Sequence, residues 1–434
     1  MAKSRASNPA TDVRVAARVS LWDKTVGHVR EYQNGRIGFN YDADYLSTGP
    51  SLSPRFLPLE ARVFEFPELR AMPSFQGLPG VFADSLPDTF GNLVIRKYFE
   101  ERGEPDNALS PVQRLLYVGK RAMGGLEYAP ALQRKTPEEE RALELQSLVE
   151  SARKLIEGEA GEAVHEIMRV GGSAGGARAK ALILWNRQKG RVRSGFARVQ
   201  EGDEPWLIKF DGVGSANALD MNAKPFNRIE YTYALLAKAL HIDMEEVAYI
   251  EDADTGLFHF MTRRFDRSGS RKRHVHSLAG MTHVDFNLPQ AYSYEAWFRL
   301  IMGLKLGAAA LEQAYRRMLF NIVGRNQDDH VKNISFLLDG PDASWRLAPA
   351  YDLTFAAGSG YTLRHQMTAS GLSDGFERET LIGIGERFDL PKPGRMLDET
   401  IEAFSGWPAL AREWHVPSEL IVRVASMHRF TRKN

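Results

Sequence analysis

Asp328, Asn333 and Asp352 set the hardest condition on how this chain folds. Asp328 and Asn333 stand five positions apart in Gly324-Arg325-Asn326-Gln327-Asp328-Asp329-His330-Val331-Lys332-Asn333. Asp352 follows nineteen residues later in Ala350-Tyr351-Asp352-Leu353, at the end of an apolar turn. An acid, an amide at plus five and a later acid form the polar skeleton of phosphoryl transfer. One acid orients the attacking hydroxyl, while the amide and the second acid hold magnesium. That chemistry requires the three groups to line one cleft, so any fold the chain adopts must carry them there.

Composition narrows the class. With 434 residues the chain can bury more than one core. Its 56 Lys+Arg nearly balance 55 Asp+Glu, so no global field draws it to nucleic acid or membrane. Cysteine is absent, which rules out disulfides, thiol nucleophiles and cysteine-ligated zinc and suits a reducing cytosol. Residues Ala2 to Thr11 are polar and small, without an apolar run of the secretory type. The most apolar stretches are interrupted, as by Lys305, and none spans a bilayer. The expectation is a cytoplasmic, enzyme-sized protein.

Hydrophobic periodicity organises the chain into three parts. Residues 13–22 alternate apolar and polar, Thr25 to Tyr32 form a second run after a two-residue break, and Asn34-Gly35 predicts a type I′ turn into Arg36 to Tyr41. Pro73 to Gly103 reads as loop, then helix from about Pro87, and Leu115 to Pro130 holds a further strand. Thr136-Pro137-Glu138-Glu139 is a capping box that starts a helix through Leu143, Leu148, Ala152 and Leu155, closed by Gly158. The divisions expected are 1–135, 136–265 and 266–434.

The middle part begins with Arg169 to Lys180, rich in glycine, followed by strands at Ala181 to Trp185, Val192 to Val199 and Trp206 to Phe210. Backbone amides of a glycine loop approach phosphates closely because glycine has no Cβ. Lys209, on a strand, can reach the same phosphates, and Glu230, near the start of an amphipathic helix from Asn227 to His241, can pair with it. Glycine loop, strand lysine, helix glutamate, catalytic aspartate, amide and metal aspartate run in the order of a protein kinase. Beyond Tyr294 the pattern is mostly helical, clearest at Trp297 to Leu304 and Leu311 to Val323.

The remaining polar residues have blander readings. His330 is a metal ligand, a general base, or a packed residue that fixes Asp328 by hydrogen bonding. Asp329 and Lys332 read as solvated neighbours, with Lys332 also placed to neutralise a migrating phosphoryl group. His274, His276 and His283 read as surface or linker histidines rather than a metal site. Tyr351 and Pro349 shape the turn before Asp352, and Arg429, Arg432 and Lys433 belong to a solvated tail.

The chain resembles the HipA family of toxin kinases, the kinase half of a bacterial toxin–antitoxin pair. Asn326 to Asn333 is similar to the family's N-x-D-x-H-x-K-N motif, and Leu347 to Asp352 to its L-x-P-x-Y-D motif. Pro79 to Asp88, Met123 to Pro130 and Arg264-Phe265-Asp266-Arg267 resemble three further signatures. The glycine loop is richer in glycine than in some members, and His274 to His283 departs from the common H-x-E-D-x-x-Q pattern.

The resemblance implies an α+β, protein-kinase-like two-lobe fold with an added amino-terminal β-rich subdomain and a largely helical carboxy-terminal lobe. It implies an ATP- and Mg2+-dependent serine/threonine protein kinase with Asp328 as catalytic base, aided by His330 and Lys332, and with Asn333 and Asp352 as magnesium ligands. Lys209 and the loop residues Ser173, Ala174, Gly175, Gly176 and Ala177 would hold the phosphates, and the backbone from Arg263 to Phe265 the adenine. Ser173 aligns with a serine whose autophosphorylation ejects the loop and switches the enzyme off. The implied partners are a helix-turn-helix antitoxin (HipB-like), operator DNA through that antitoxin, and a protein substrate such as an aminoacyl-tRNA synthetase, whose phosphorylation promotes dormancy or persistence. Two rivals come from other classes: a metal-dependent phosphodiesterase or nuclease built on Asp328, Asp329, His330 and Asp352, and a catalytically idle corepressor.

Overall fold

The fold is that of a computed structural model, which describes residues 12–101, 103, 109–131, 143, 145–157, 167, 178–213 and 226–431. Five antiparallel strands open the chain: β1 (Val13–Leu21), β2 (Lys24–Tyr32), β3 (Ile37–Tyr41), β4 (Phe64–Glu65) and β5 (Glu127–Ala129), in spatial order β4-β3-β2-β1-β5. The expected alternation in β1 buries Ala17, Val19 and Leu21 against Phe39, Phe64 and Phe82. The two turns of this meander are built differently. The left-handed pair is Trp22 (φ 51°) and Asp23 (φ 61°), in the break between β1 and β2. At the next turn only Gly35 is left-handed (φ 76°), its N–H donating to the Tyr32 carbonyl at 2.8 Å, so the loop has three residues and is not the type I′ turn predicted at Asn34-Gly35. Trp22 tolerates its unfavourable backbone because its indole N–H donates to the Lys272 carbonyl at 2.8 Å, far along the chain.

A second antiparallel sheet forms the upper lobe: β6 (Lys180–Asn186), β7 (Arg191–Ser194), β8 (Glu204–Lys209), β9 (Val247–Glu251) and β10 (Phe258–Arg263), ordered β7-β6-β8-β10-β9. One face, with Ala181, Ile183, Trp206, Ile208 and Met261, is covered by the helices Thr89–Glu101 and Leu145–Ile156. Strand period 2 sends Lys180, Leu207, Lys209, Phe260 and Thr262 to the other face, which lines a deep cleft. The capping box at Thr136, the glycine loop and Gly158 lie outside the described residues.

The lower lobe is helical. The helices Phe226–Ala239, Tyr294–Gly303, Ala308–Val323, Pro393–Glu413 and Ser418–Met427 enclose a core with Tyr233, Trp297, Met318, Phe320 and Trp407 fully buried. Ser293 caps its helix by accepting from the Ala296 N–H at 3.1 Å. Arg429 is not a solvated residue: it pairs with Asp374 at 2.5 Å and lies over the Phe376 ring, while Arg432 and Lys433 are outside the described residues. Among the described residues no helix is long and apolar enough to cross a membrane.

The amino-terminal subdomain is clamped to the lower lobe where the helices Gly80–Ala83 and Leu278–Thr282 meet. Of the histidines read as surface residues, His274 and His276 are buried at this seam and His283 is half-buried. His276, on strand Val275's flank, bonds Asp84 at 2.8 Å and Ser53 at 3.1 Å; His274 bonds the Leu52 carbonyl at 3.1 Å. His283 stacks on Phe56 at 3.6 Å and accepts from the Gly80 N–H at 3.1 Å. Burial lowers His274 to about 4 and His283 to about 3, so both pack as neutral rings. A Cβ on Gly80 would sit 2.2 Å from the Gly280 carbonyl oxygen, a backbone atom that cannot swing away. Gly80→Ala is expected to destabilise the protein by roughly 2–3 kcal/mol through overpacking, read as a lowered denaturation midpoint and faster proteolysis.

Candidate active site

The loop after helix Ala308–Val323 carries Asp328, and the turn after strands β15 (Ser335–Leu338) and β16 (Arg346–Leu347) carries Asp352; between β10 and β15 the minor strands are β11 (Arg267–Ser268), β12 (Arg271–Lys272), β13 (His274–Ser277) and β14 (Tyr292–Ser293). The two segments are tied together by backbone bonds, Gln327 N–H to the Ala356 carbonyl at 2.9 Å and Ala356 N–H to the Arg325 carbonyl at 3.1 Å. Asn326 adds a side-chain tie, donating to the Asn321 side chain at 2.9 Å and to the Asp352 carbonyl at 3.3 Å. Asp352 itself is left-handed (φ 53°), a cost that these surrounding bonds sustain.

Lys209 is the centre of the charge network. Its ammonium donates to Glu230 at 2.6 Å and also to Asp352. Burial alone would lower its pKa, but the two carboxylates outweigh that and raise it. Burial pushes Asp352 the other way, and Lys209, with Lys180 and His330, brings it below its ordinary value. Arg178, the first described residue after the glycine loop, donates to Asn227 at 2.6 Å and lies 3.6 Å from Glu230. Lys180, cross-strand from Lys209, is buried in a pair with Asp88 of the amino-terminal subdomain at 2.7 Å.

Asn333 donates its side-chain N–H to the Asp328 carbonyl at 2.8 Å, which leaves the amide oxygen as its ligand-type end. Lys209, Glu230, Lys332, Asn333 and Asp352 line the same cleft, as do the hinge residues Arg263 and Phe265. Phe265 stacks on Tyr351 at 5.5 Å, and the Tyr351 hydroxyl donates to the Lys332 carbonyl at 2.8 Å. The Arg263 N–H is taken by the Glu246 carbonyl at 2.8 Å, and its side chain is exposed near Glu246. Asp328 stands at the rim with its side chain 45 % exposed. His330 does not hydrogen-bond it, its Nε2 lying 3.7 Å from the carboxylate, and packs instead 5.3 Å from the Phe286 ring. Ser173, Ala174, Gly175, Gly176 and Ala177 lie outside the described residues.

Asp329 is no solvated neighbour. It is buried and accepts from the Tyr294 hydroxyl at 2.6 Å, His365 at 2.8 Å and the Gln366 N–H at 2.7 Å. These bonds fix the loop from below, so that Asp328 points outward. The sequence reading also missed Asp84, which lines the cleft and accepts from the Ser277 N–H at 2.8 Å. Both lay inside quoted motifs, but their partners stand 35 to 193 positions away.

With the geometry in place, comparison with known proteins decides the family. A model of the HipA-like C-terminal domain matches residues 172–407, and one of the HipA N-terminal domain matches residues 17–129. The chain belongs to the HipA family. Among solved structures, a chain of the Shewanella oneidensis MR-1 toxin–antitoxin complex of HipA, HipB and operator DNA aligns with a TM-score of 0.65 and 15% identity, over 94% of this chain and 95% of that one. This likeness gives the fold: a β-rich amino-terminal region, a sheet lobe and a helical lobe, as expected. The Helicobacter pylori proinflammatory kinase CtkA aligns with a TM-score of 0.37 and 10% identity, over 59% of this HipA-family chain and 90% of its own. No curated protein matches the sequence.

Two stability predictions come from this site. Asp329→Ala strands three buried partners and is expected to cost about 3 kcal/mol in urea unfolding. Asp328 behaves oppositely. Although its side chain is largely open to solvent, partial withdrawal from water, with Asp352 and Asp329, raises its pKa against the pull of His330 and Lys209. The folded state therefore holds that proton more tightly than the unfolded chain, and stability is lost as pH rises through the ordinary carboxylate range to the raised value. Asp328→Asn is expected to melt slightly higher at neutral pH, the effect kept small by solvent screening of the half-exposed carboxylate, with the gain disappearing below about pH 4. Melting curves at both pH values check this.

Proposed function

We propose that the chain is an ATP- and magnesium-dependent serine/threonine protein kinase, a HipA-type toxin. The observation that carries this reading is the convergence of Lys209, Glu230, Asn333 and Asp352 in one cleft beside Asp328. The donor set fits the group: Asp352 and Asn333 offer hard oxygens of the kind magnesium takes, and the ion would neutralise charge on the phosphate oxygens. Lys209 would grip the phosphates from its strand, oriented by Glu230. Apolar Leu207, Ala234, Met244 and Phe260 give the cleft a dry wall suited to an adenine ring. Asp328, at the rim, would align the substrate hydroxyl and accept its proton late. Lys332, beside the Phe286 ring, would balance the migrating charge.

The pairing of Lys209 with Glu230 favours this over a phosphodiesterase, in which that buried pair would have no task. Ser173 is the proposed autophosphorylation site. The antitoxin is a HipB-like helix-turn-helix protein, the substrate a protein such as an aminoacyl-tRNA synthetase, and the compartment the cytoplasm.

Asp328→Asn and Asp352→Asn are expected to lower transfer from labelled ATP by roughly 10³-fold or more, and Lys209→Met by roughly 10²-fold. Each variant should keep the wild-type circular dichroism. Peptide mass spectrometry should place the main autophosphorylation at Ser173 and find it lost in Ser173→Ala. Wild-type turnover in either aspartate variant overturns the assignment.

A further inference from the structure

Asn227 and Glu230 are both buried, three positions apart on the helix Phe226–Ala239, and both meet the upper sheet. The Asn227 amide nitrogen donates to the Lys209 carbonyl at 3.0 Å and to the Phe258 carbonyl at 3.1 Å, which ties the helix start to β8 and β10. The Asn227 oxygen accepts from the Arg178 guanidinium at 2.6 Å. A second nitrogen of that guanidinium lies 3.6 Å from Glu230 Oε2, while Glu230 Oε1 accepts from Lys209 at 2.6 Å. The two oxygens of Glu230 therefore face two different cations. Arg178 is itself seated on this frame. Its neighbour Ala179 accepts at its carbonyl from the Phe210 N–H at 3.1 Å, one residue past Lys209, and its guanidinium lies 5.7 Å from the centre of the Phe226 ring.

Lys209 and Glu230 line the cleft, and Arg178 does not. Any influence of Arg178 on a ligand there passes through Glu230. A glutamate held at one oxygen alone keeps much of its rotamer freedom. A planar guanidinium that grips an amide and faces the carboxylate with its other nitrogen removes part of that freedom, because its fork is rigid. The Lys209 ammonium is shared between Glu230 and Asp352, so its position follows from where each acid stands.

We propose that Arg178 is a positioning residue for phosphate recognition. Its guanidinium, anchored on Asn227, holds Glu230 in place and thereby aims the Lys209 ammonium at the nucleotide phosphates. This rests on the nucleotide reading of the cleft and extends it to a side chain outside the cleft. A lysine at position 178 would keep the charge but has no fork, so it could not serve Asn227 and Glu230 together.

Calorimetric titration of the full chain with magnesium and ATP, and separately with adenosine, tests the proposal through a double-mutant cycle. Lys209→Met is expected to weaken ATP binding about tenfold and Arg178→Met about three- to fivefold, with adenosine affinity unchanged in both. The double variant should bind ATP no more weakly than Lys209→Met alone, because Arg178 acts through that ammonium. Arg178→Lys should stay within about twofold of Arg178→Met. Full recovery by lysine would show that charge alone matters and overturn the positioning role. A further loss of about three- to fivefold in the double variant would show Arg178 acting independently of Lys209, and overturn it too. Weakened adenosine binding in Arg178→Met would mark a general structural role and have the same consequence. If Lys209→Met loses ATP affinity and Arg178→Met does not, the proposal falls and the nucleotide reading stands. If Lys209→Met binds ATP as the wild type does, both fall.

Discussion

Lys209 joins three independent pieces of the chain through one ammonium group. It stands on a strand of the upper sheet, Glu230 on the second turn of a helix and Asp352 on a loop of the lower lobe. An isolated lysine on that face would be expelled to solvent, since burial alone penalises its charge. Two carboxylates reverse the balance and make the pair a fixed point from which the cleft is laid out. Removing either acid would leave the Lys209 ammonium with one carboxylate fewer to offset its burial.

The polar skeleton was legible because its residues are close in sequence and their spacing carries chemistry. The strand lysine and helix glutamate were also legible, since period 2 and period 3.6 each name a face. What stayed hidden was decided by partners far along the chain. Asp329 looks identical to a solvated acid until Tyr294, His365 and Gln366 surround it. His274 and His276 look like loop residues until the amino-terminal subdomain buries them, and Phe56 of that subdomain stacks on His283. His330 had the right position to orient Asp328, but the aromatic neighbour Phe286 claims its ring instead. Distant partners override local turn preference in the same way: Trp22 occupies a conformation that its own residue type disfavours, while its indole N–H donates to the Lys272 carbonyl.

The amino-terminal subdomain contributes directly to the cleft. Asp84 and Asp88 sit four positions apart in one signature, yet serve opposite sides of the site. Asp84 bonds the strand and helix start at His276 and Ser277 below, while Asp88 pairs with Lys180 of the sheet above. The helix that follows Asp88 shares the upper lobe's core through Phe90, Leu93 and Val94. The kinase-like body and its added subdomain are therefore joined through buried charge as well as apolar contact.

The close approach of Gly80 to Gly280 has a mechanical corollary. Backbone in van der Waals contact with backbone leaves no slack, so the subdomain is riveted to the lower lobe there, while a few residues later its buried Asp88 grips the sheet. Asp84 and Ser85, between these two anchors, line the cleft, so the subdomain is part of the cleft wall and is held on both sides. Pulling the subdomain away from that wall would cost both a backbone contact and a buried ion pair.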